Sequence, residues 1–214
     1  MSDRDAPYFR NHERRTRFPW SLYHADLDRR IARAAREHLP SPRVLVVGCG
    51  LEPEVVGVPS ARWYGCDLDA RAIATCQQQF PQAADRLAAC PGPFELPEAG
   101  SFAGAFDVVL AKEVIEHLDD PVRWARALAA RVAAGGSLLL STPNYGRWST
   151  LPLLERTVLE WIARRDGYSR RHIHPSRFDR KRLAALDLGP EMQLVSVSTA
   201  ITGWTLLGHW RRRS

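Results

Sequence analysis

Three side chains that handle protons or cations fall close together in this chain: Glu113, Glu116 and His117. Their spacing of i, i+3 and i+4 places them on one face if Glu113–Leu118 is helical, as its pattern suggests. A hydroxyl that must shed a proton while reacting needs a base that works near neutrality. The imidazole of His117 is the first candidate for that role, with Glu116 beside it. A second group promises binding rather than proton transfer. Gly48-Cys49-Gly50 directly follows the apolar run Val44–Val47, and Asp67 ends a later run, nineteen residues beyond Gly48. Glycines at the carboxyl end of a first strand let the backbone approach a ligand closely, and an acid at that distance reaches the two hydroxyls of a ribose.

The elements that must position these residues are legible as short apolar runs bounded by Gly, Pro or Asp. The runs are Val44–Val47, Trp63–Cys66, Phe106–Ala111 and Ser137–Ser141, and they read as strands buried on both faces. Helical patterns lie between them at Ala70–Gln79, Glu113–Leu118 and Pro121–Ala134, the last stopping at Gly135-Gly136. A leading helix is expected over Leu22–Glu37. An amphipathic helix is expected over Leu151–Arg165, with Leu151, Leu154, Val158 and Ile162 on one side. The runs Gln193–Ser198 and Thr205–Trp210 close the sheet as an antiparallel pair. The expected fold is therefore α/β: a Rossmann-like, seven-stranded, mostly parallel sheet with helices on both faces. It reads as one domain over residues 1–214, with a helical N-terminal cap (1–42) and a substrate cap (145–190).

The loop chemistry narrows the cofactor. A dinucleotide site needs G-x-G-x-x-G and a long first helix facing the pyrophosphate. Here Pro53 takes the third glycine position, and Gly57 and Pro59 cut the helix short. S-adenosylmethionine (SAM), which has no pyrophosphate, fits this loop better than NAD. Asp69 serves better as the N-cap of the following helix than as a ligand group.

At Phe106 a longer signature begins. The run Phe106-Asp107-Val108-Val109-Leu110-Ala111-Lys112-Glu113-Val114-Ile115-Glu116-His117-Leu118-Asp119-Asp120-Pro121, followed by Gly135-Gly136-Ser137-Leu138-Leu139-Leu140-Ser141-Thr142-Pro143-Asn144, resembles the class I SAM-dependent methyltransferases. It is most similar to the branch of the ubiquinone-biosynthesis O-methyltransferases and the small-RNA 2′-O-methyltransferases. The resemblance implies cofactor contacts at Gly48, Cys49, Gly50, Asp67, Leu68, Lys112 and Glu113. It also implies a divalent-metal site (Mg²⁺ or Zn²⁺) at Glu113, Glu116 and His117, completed by His174 or His172. The chain departs from the pattern at three places: Val46 stands where the first strand carries an acid, Glu52 replaces a glycine, and Cys90-Pro91-Gly92-Pro93-Phe94 has no acid before Glu95. An altered loop leaves room for an alternative, a degenerate SAM-binding protein acting in a complex.

Charge and composition bear on the acceptor and the compartment. The net charge of +6 divides into +4 over residues 1–43, −5 over 44–146 and +7 over 147–214. Basic flanks around an acidic middle suit an anionic acceptor, with Arg164, Arg165, Arg170, Arg171, Arg177, Arg180 and Arg182 in the cap. Trp161 on the amphipathic segment suits a lipid-like substrate or peripheral membrane contact. A nucleic-acid partner is disfavoured, because no platform of interleaved aromatic and basic residues is present. A small-molecule or lipid-linked acceptor is expected, in a cytoplasmic protein with no transmembrane segment. Cys49, Cys66, Cys76 and Cys90 form no CxxC pair and read as reduced core residues.

Overall fold

Four mostly apolar strands, buried at nearly all of their central positions, have to be covered on both sides, and the chain covers them by winding outward twice from the middle of a sheet. In a computed structural model, residues 20–38, 40–54, 57–165 and 174–214 are described. The elements run α1 (Trp20–Arg36), β1 (Arg43–Val47), β2 (Arg62–Asp67), α2 (Ala70–Gln79), β3 (Leu87–Ala89), β4 (Phe106–Lys112), α3 (Pro121–Ala130) and β5 (Val132–Pro143). They continue as α4 (Leu151–Arg156), α5 (Val158–Arg165), α6 (Arg180–Ala184), β6 (Met192–Thr199) and β7 (Thr205–Arg212). The sheet order is β3-β2-β1-β4-β5-β7-β6, parallel except where β7 pairs with β5 and β6.

Alternation along the strands sorts the core into two layers. Val44 and Val46 of β1 and Val108 and Leu110 of β4 face α1 and α2, packing on Leu27, Ile31, Ile73 and Cys76. Leu45, Val47, Val109 and Ala111 face α3 and α6, packing on Trp124, Leu128 and Leu183. The order reverses between β1 and β4, and a crevice opens there beyond their carboxyl ends, where open α/β sheets bind ligands. No helix among the described residues is long and apolar enough to cross a membrane.

Several local expectations change. The segment expected as a helix over Glu113–Leu118 holds only a short 3-10 turn, Ile115–His117, because Glu113 sits in the left-handed region at φ 54°. α3 ends at Ala130 rather than Ala134. The guanidinium of Arg131 turns inward and donates to the carbonyls of Pro97 (2.7 Å), Gly104 (3.2 Å) and Phe102, and β5 starts at Val132 beside Phe106. Gly135-Gly136 therefore lies within β5 and does not stop a helix. A Cβ at Gly136 would come within 2.9 Å of the Asp107 carbonyl oxygen. The expected helix Leu151–Arg165 is broken at Thr157, which leaves helical geometry (φ −120°, ψ −97°) while its hydroxyl donates to the Leu153 carbonyl at 2.8 Å. Leu151 is buried, but Val158 is 53% exposed, so the expected apolar stripe does not continue across the break. The Ile162 side chain lies outside the described residues.

Candidate active site

The floor of the crevice is built by backbone amides. Gly48 and Cys49 both donate to the Cys66 carbonyl, at 2.8 and 3.1 Å, which bends the loop across the end of β2. Gly48 (φ 67°) and Gly50 (φ 53°) adopt the left-handed conformation that this bend requires. Asp67 then locks the loop: its carboxylate accepts from Gly50 N at 2.8 Å and from Asp69 N at 2.9 Å. A carboxylate has about four acceptor positions, so two remain for a ribose diol. Asp69 caps α2 through the Arg71 amide at 3.0 Å.

The crevice encloses about 230 Å³, and its walls include Gly48, Gly50, Asp67, Leu68, Lys112, Glu113 and His117. Of the residues expected to meet the cofactor, only Cys49 is absent from the lining. Its thiol is buried, 3.7 Å from the Gly50 carbonyl, and burial together with the nearby Asp67 carboxylate raises its pKa. Burial also pushes the Cys76 thiol up to about 11. Both are thiols rather than thiolates at neutral pH, and all four cysteines are free. Pro93 and Leu96 also line the crevice and were not assigned to it from the sequence, where the run Leu87–Cys90 that contains the three-residue strand before them was not read as a strand. With Leu68, which is 55% exposed, they offer an apolar wall for a flat ring.

The proton-handling group assembles by long-range packing. Ser176 donates its amide to the Glu116 carbonyl (3.1 Å) and its hydroxyl to the Leu118 carbonyl (2.9 Å). Tyr145 N donates to the Phe178 carbonyl at 2.7 Å. These bonds hold the segment around His174 against the 3-10 turn on one side and the end of β5 on the other. One ligand atom each of Glu116, His117 and His174 then lies within 4.8 Å of the other two. Glu116 is 1% exposed and His174 8%, whereas the His117 side chain is 47% exposed and faces the crevice. The His117 and His174 rings meet edge to face at 4.9 Å between centroids.

Behind His174, the Tyr145 hydroxyl donates to Glu155 Oε2 at 2.8 Å and lies 2.5 Å from His174 Nδ1. With the tyrosine proton on Glu155, His174 donates through Nδ1–H, and its Nε2 keeps a lone pair. Tyr145 and Glu155 carried no signal in the sequence, since nothing in their spacing links them to His174.

Glu113 does not join this group. Its left-handed backbone turns the side chain toward β7, where the Thr205 hydroxyl donates to Oε1 at 3.2 Å, and its amide donates to the Ser141 carbonyl at 3.1 Å. The expected metal-ligand set therefore loses Glu113. His172, Arg170 and Arg171 lie outside the described residues. The remaining donors, one carboxylate and two imidazoles, suit a divalent cation such as Mn²⁺ or Zn²⁺ better than Mg²⁺, which prefers an all-oxygen shell.

Comparison with known proteins agrees with this architecture. A family described as "Methyltransferase domain" matches residues 15–186. A ubiquinone biosynthesis O-methyltransferase from Xanthomonas campestris pv. campestris is 32% identical over 187 residues, covering 85% of this chain and 73% of the relative. Among solved structures, magnesium protoporphyrin IX methyltransferase from Synechocystis, with bound S-adenosylhomocysteine, superimposes with a TM-score of 0.65 at 17% identity, over 97% of this chain and 95% of that one. A SAM-dependent methyltransferase from Clostridium acetobutylicum gives 0.67 at 10% identity, over 98% and 100%. A glycine loop locked by Asp67 at the switch point of a 3-2-1-4-5-7-6 sheet, together with this kinship, means that the chain belongs to the SAM-dependent methyltransferases.

Proposed function

We propose that the enzyme transfers the methyl group to a hydroxyl oxygen of a small or lipid-linked, negatively charged acceptor. The observation that carries this reading is His117, half exposed in the crevice and backed by buried Glu116 and His174. Methyl transfer is an in-line displacement. The acceptor oxygen forms its bond to the methyl carbon as the carbon–sulfur bond breaks, and the sulfur keeps the electron pair as S-adenosylhomocysteine leaves. The hydroxyl proton passes to His117, whose Nε2 lies 4.0 Å from Glu116 Oε1, a carboxylate placed to stabilise the imidazolium. The names of the curated relatives support oxygen as the acceptor atom.

A cation held by Glu116, His117 and His174 is a second reading, supported by the 4.8 Å cluster. When bound, it would lower the acceptor hydroxyl's pKa. Negative charge on the acceptor is supported by the basic cap, where Arg177 lies over the Tyr145 ring at 5.3 Å. Lipid character is supported by Trp148 (86% exposed), Leu153 (66%) and Trp161 (60%), which leave an apolar surface on the same segment as Glu155.

The test offers methyl-labelled SAM with matched hydroxybenzoate and aminobenzoate acceptors. Label is expected on oxygen, and His117→Ala is expected to slow transfer about 10²- to 10⁴-fold with SAM affinity kept. Label on nitrogen alone, or full activity in His117→Ala, would overturn the proposal.

A further inference from the structure

Among the described residues lining the crevice, Lys112 is the only lysine or arginine. It ends β4 on the sheet face shared by Val108, Leu110 and Val46, the face covered by α1. Its side chain is 13% exposed, and its ammonium lies 3.4 Å from Asp28 Oδ1 of α1 and 3.7 Å from Glu52 Oε2 of the glycine loop. Both separations exceed the 2.7–2.9 Å or so of a tight charge-assisted bond. The three charges form a loose group at the crevice wall, and each comes from a different element.

The same face explains the departure at Val46. An acid at that position would point toward the α1 side, two residues along the register from Lys112, but Val46 is 2% exposed and packed into the core. The carboxylates near the loop have moved outward to Asp28 and Glu52, and a cation stands between them. The amino-acid end of SAM carries one carboxylate and one ammonium. A zwitterion entering this group meets a partner for each of its charges.

We propose that Lys112 binds the carboxylate of the cofactor's amino-acid end, while Asp28 and Glu52 hold Lys112 in place before binding and receive the cofactor's ammonium afterwards. Binding exchanges one loose intramolecular ion group for two intermolecular pairs, and the amino-acid end adds no net charge to a wall where the Lys112 side chain is 13% exposed. The inference rests on the cofactor reading of the crevice and adds which of this chain's own charges meet the amino-acid end. It makes Asp28, on a helix with no glycine motif, a residue that determines specificity for the amino-acid end.

Calorimetry on the whole chain tests this with two thioethers. One is S-adenosylhomocysteine; the other is its decarboxylated analogue, which keeps the ammonium and lacks the carboxylate. Wild type is expected to prefer the first by about 10- to 100-fold. Lys112→Met should remove most of that preference by weakening S-adenosylhomocysteine alone, with the analogue within about twofold of wild type. Lys112→Arg should keep most of it. Asp28→Asn leaves the cation in place and should weaken both thioethers, because both carry the ammonium. An equal loss of both ligands in Lys112→Met would mean that Lys112 only ties α1 to the sheet, and would overturn the proposal. An unchanged preference would overturn it as well. If Lys112→Met fails to fold, the wild-type preference and Lys112→Arg still decide, since no wild-type preference leaves the clamp nothing to do. Failure of wild type to bind either thioether would sink the cofactor reading together with this one, a distinguishable result.

Discussion

Gly48→Ala isolates the close approach that shapes the cofactor loop. At φ 67° an alanine pays the left-handed penalty of about 1–2 kcal/mol. Its Cβ would also fall closer than 3.0 Å to a methyl of Val114, the residue that follows the left-handed Glu113. Carbon atoms prefer roughly 3.5–4.0 Å, so either the loop or the 3-10 turn must shift, at about 1–3 kcal/mol for an overpacked contact. The sum is roughly 2–5 kcal/mol, enough to lower a urea midpoint clearly at unchanged slope. The partition is testable with Val114→Ala, which removes the clashing methyls but not the backbone strain. In that background Gly48→Ala should cost only the backbone part, giving a coupling of about 1–3 kcal/mol between the two sites. Additive effects of the two substitutions would refute the steric argument, and a free-energy change below about 1 kcal/mol for Gly48→Ala alone would refute both parts.

Other outcomes follow from the same geometry. Ser137 Oγ sits 3.0 Å from Nε2 of both His38 and His209, and burial lowers the pKa of both imidazoles from 6.5. The unfolded chain therefore binds more protons, so stability should hold above pH 6.5 and fall as pH drops below it, and His209→Gln should flatten that fall in urea titrations. Electron paramagnetic resonance with Mn²⁺ should show binding weakened at least about tenfold by Glu116→Gln and by His174→Ala, and unchanged by Glu113→Gln. No Mn²⁺ binding by wild type would remove the metal reading. Trp148→Ala with Trp161→Ala should reduce co-sedimentation with phosphatidylglycerol vesicles several-fold, and equal binding of wild type to neutral vesicles would count against the basic contribution.

β1, β2, β4 and the centre of β5 were legible because burial on both faces keeps most of their positions apolar, whereas the three-residue β3 was not read, and α2 ran as read because Asp69 caps it. The misreadings share a cause: distant partners override local pattern. Arg131 ends α3 by reaching carbonyls 27 to 34 residues back, and β5 consumes residues that read as helix. The site divides in the same way. Gly48, Gly50 and Asp67 act within one loop-and-strand unit, so their spacing carried the information. His117 and Glu116 meet His174 through bonds made by Ser176, which no periodicity announces. Glu113 was misplaced because a helical face was assumed where the backbone turns left-handed.

Asp67 joins the amide of Gly50 to that of Asp69 through bonds made wholly within the protein. The loop is thus ordered during folding, and a nucleoside arriving there finds its receptor already stiff. The entropy of arranging that corner has been settled by the fold, so affinity for the cofactor and resistance to unfolding rest on one carboxylate. Change at that position cannot trade one property for the other, and the ends of β1 and β2 must vary together or not at all.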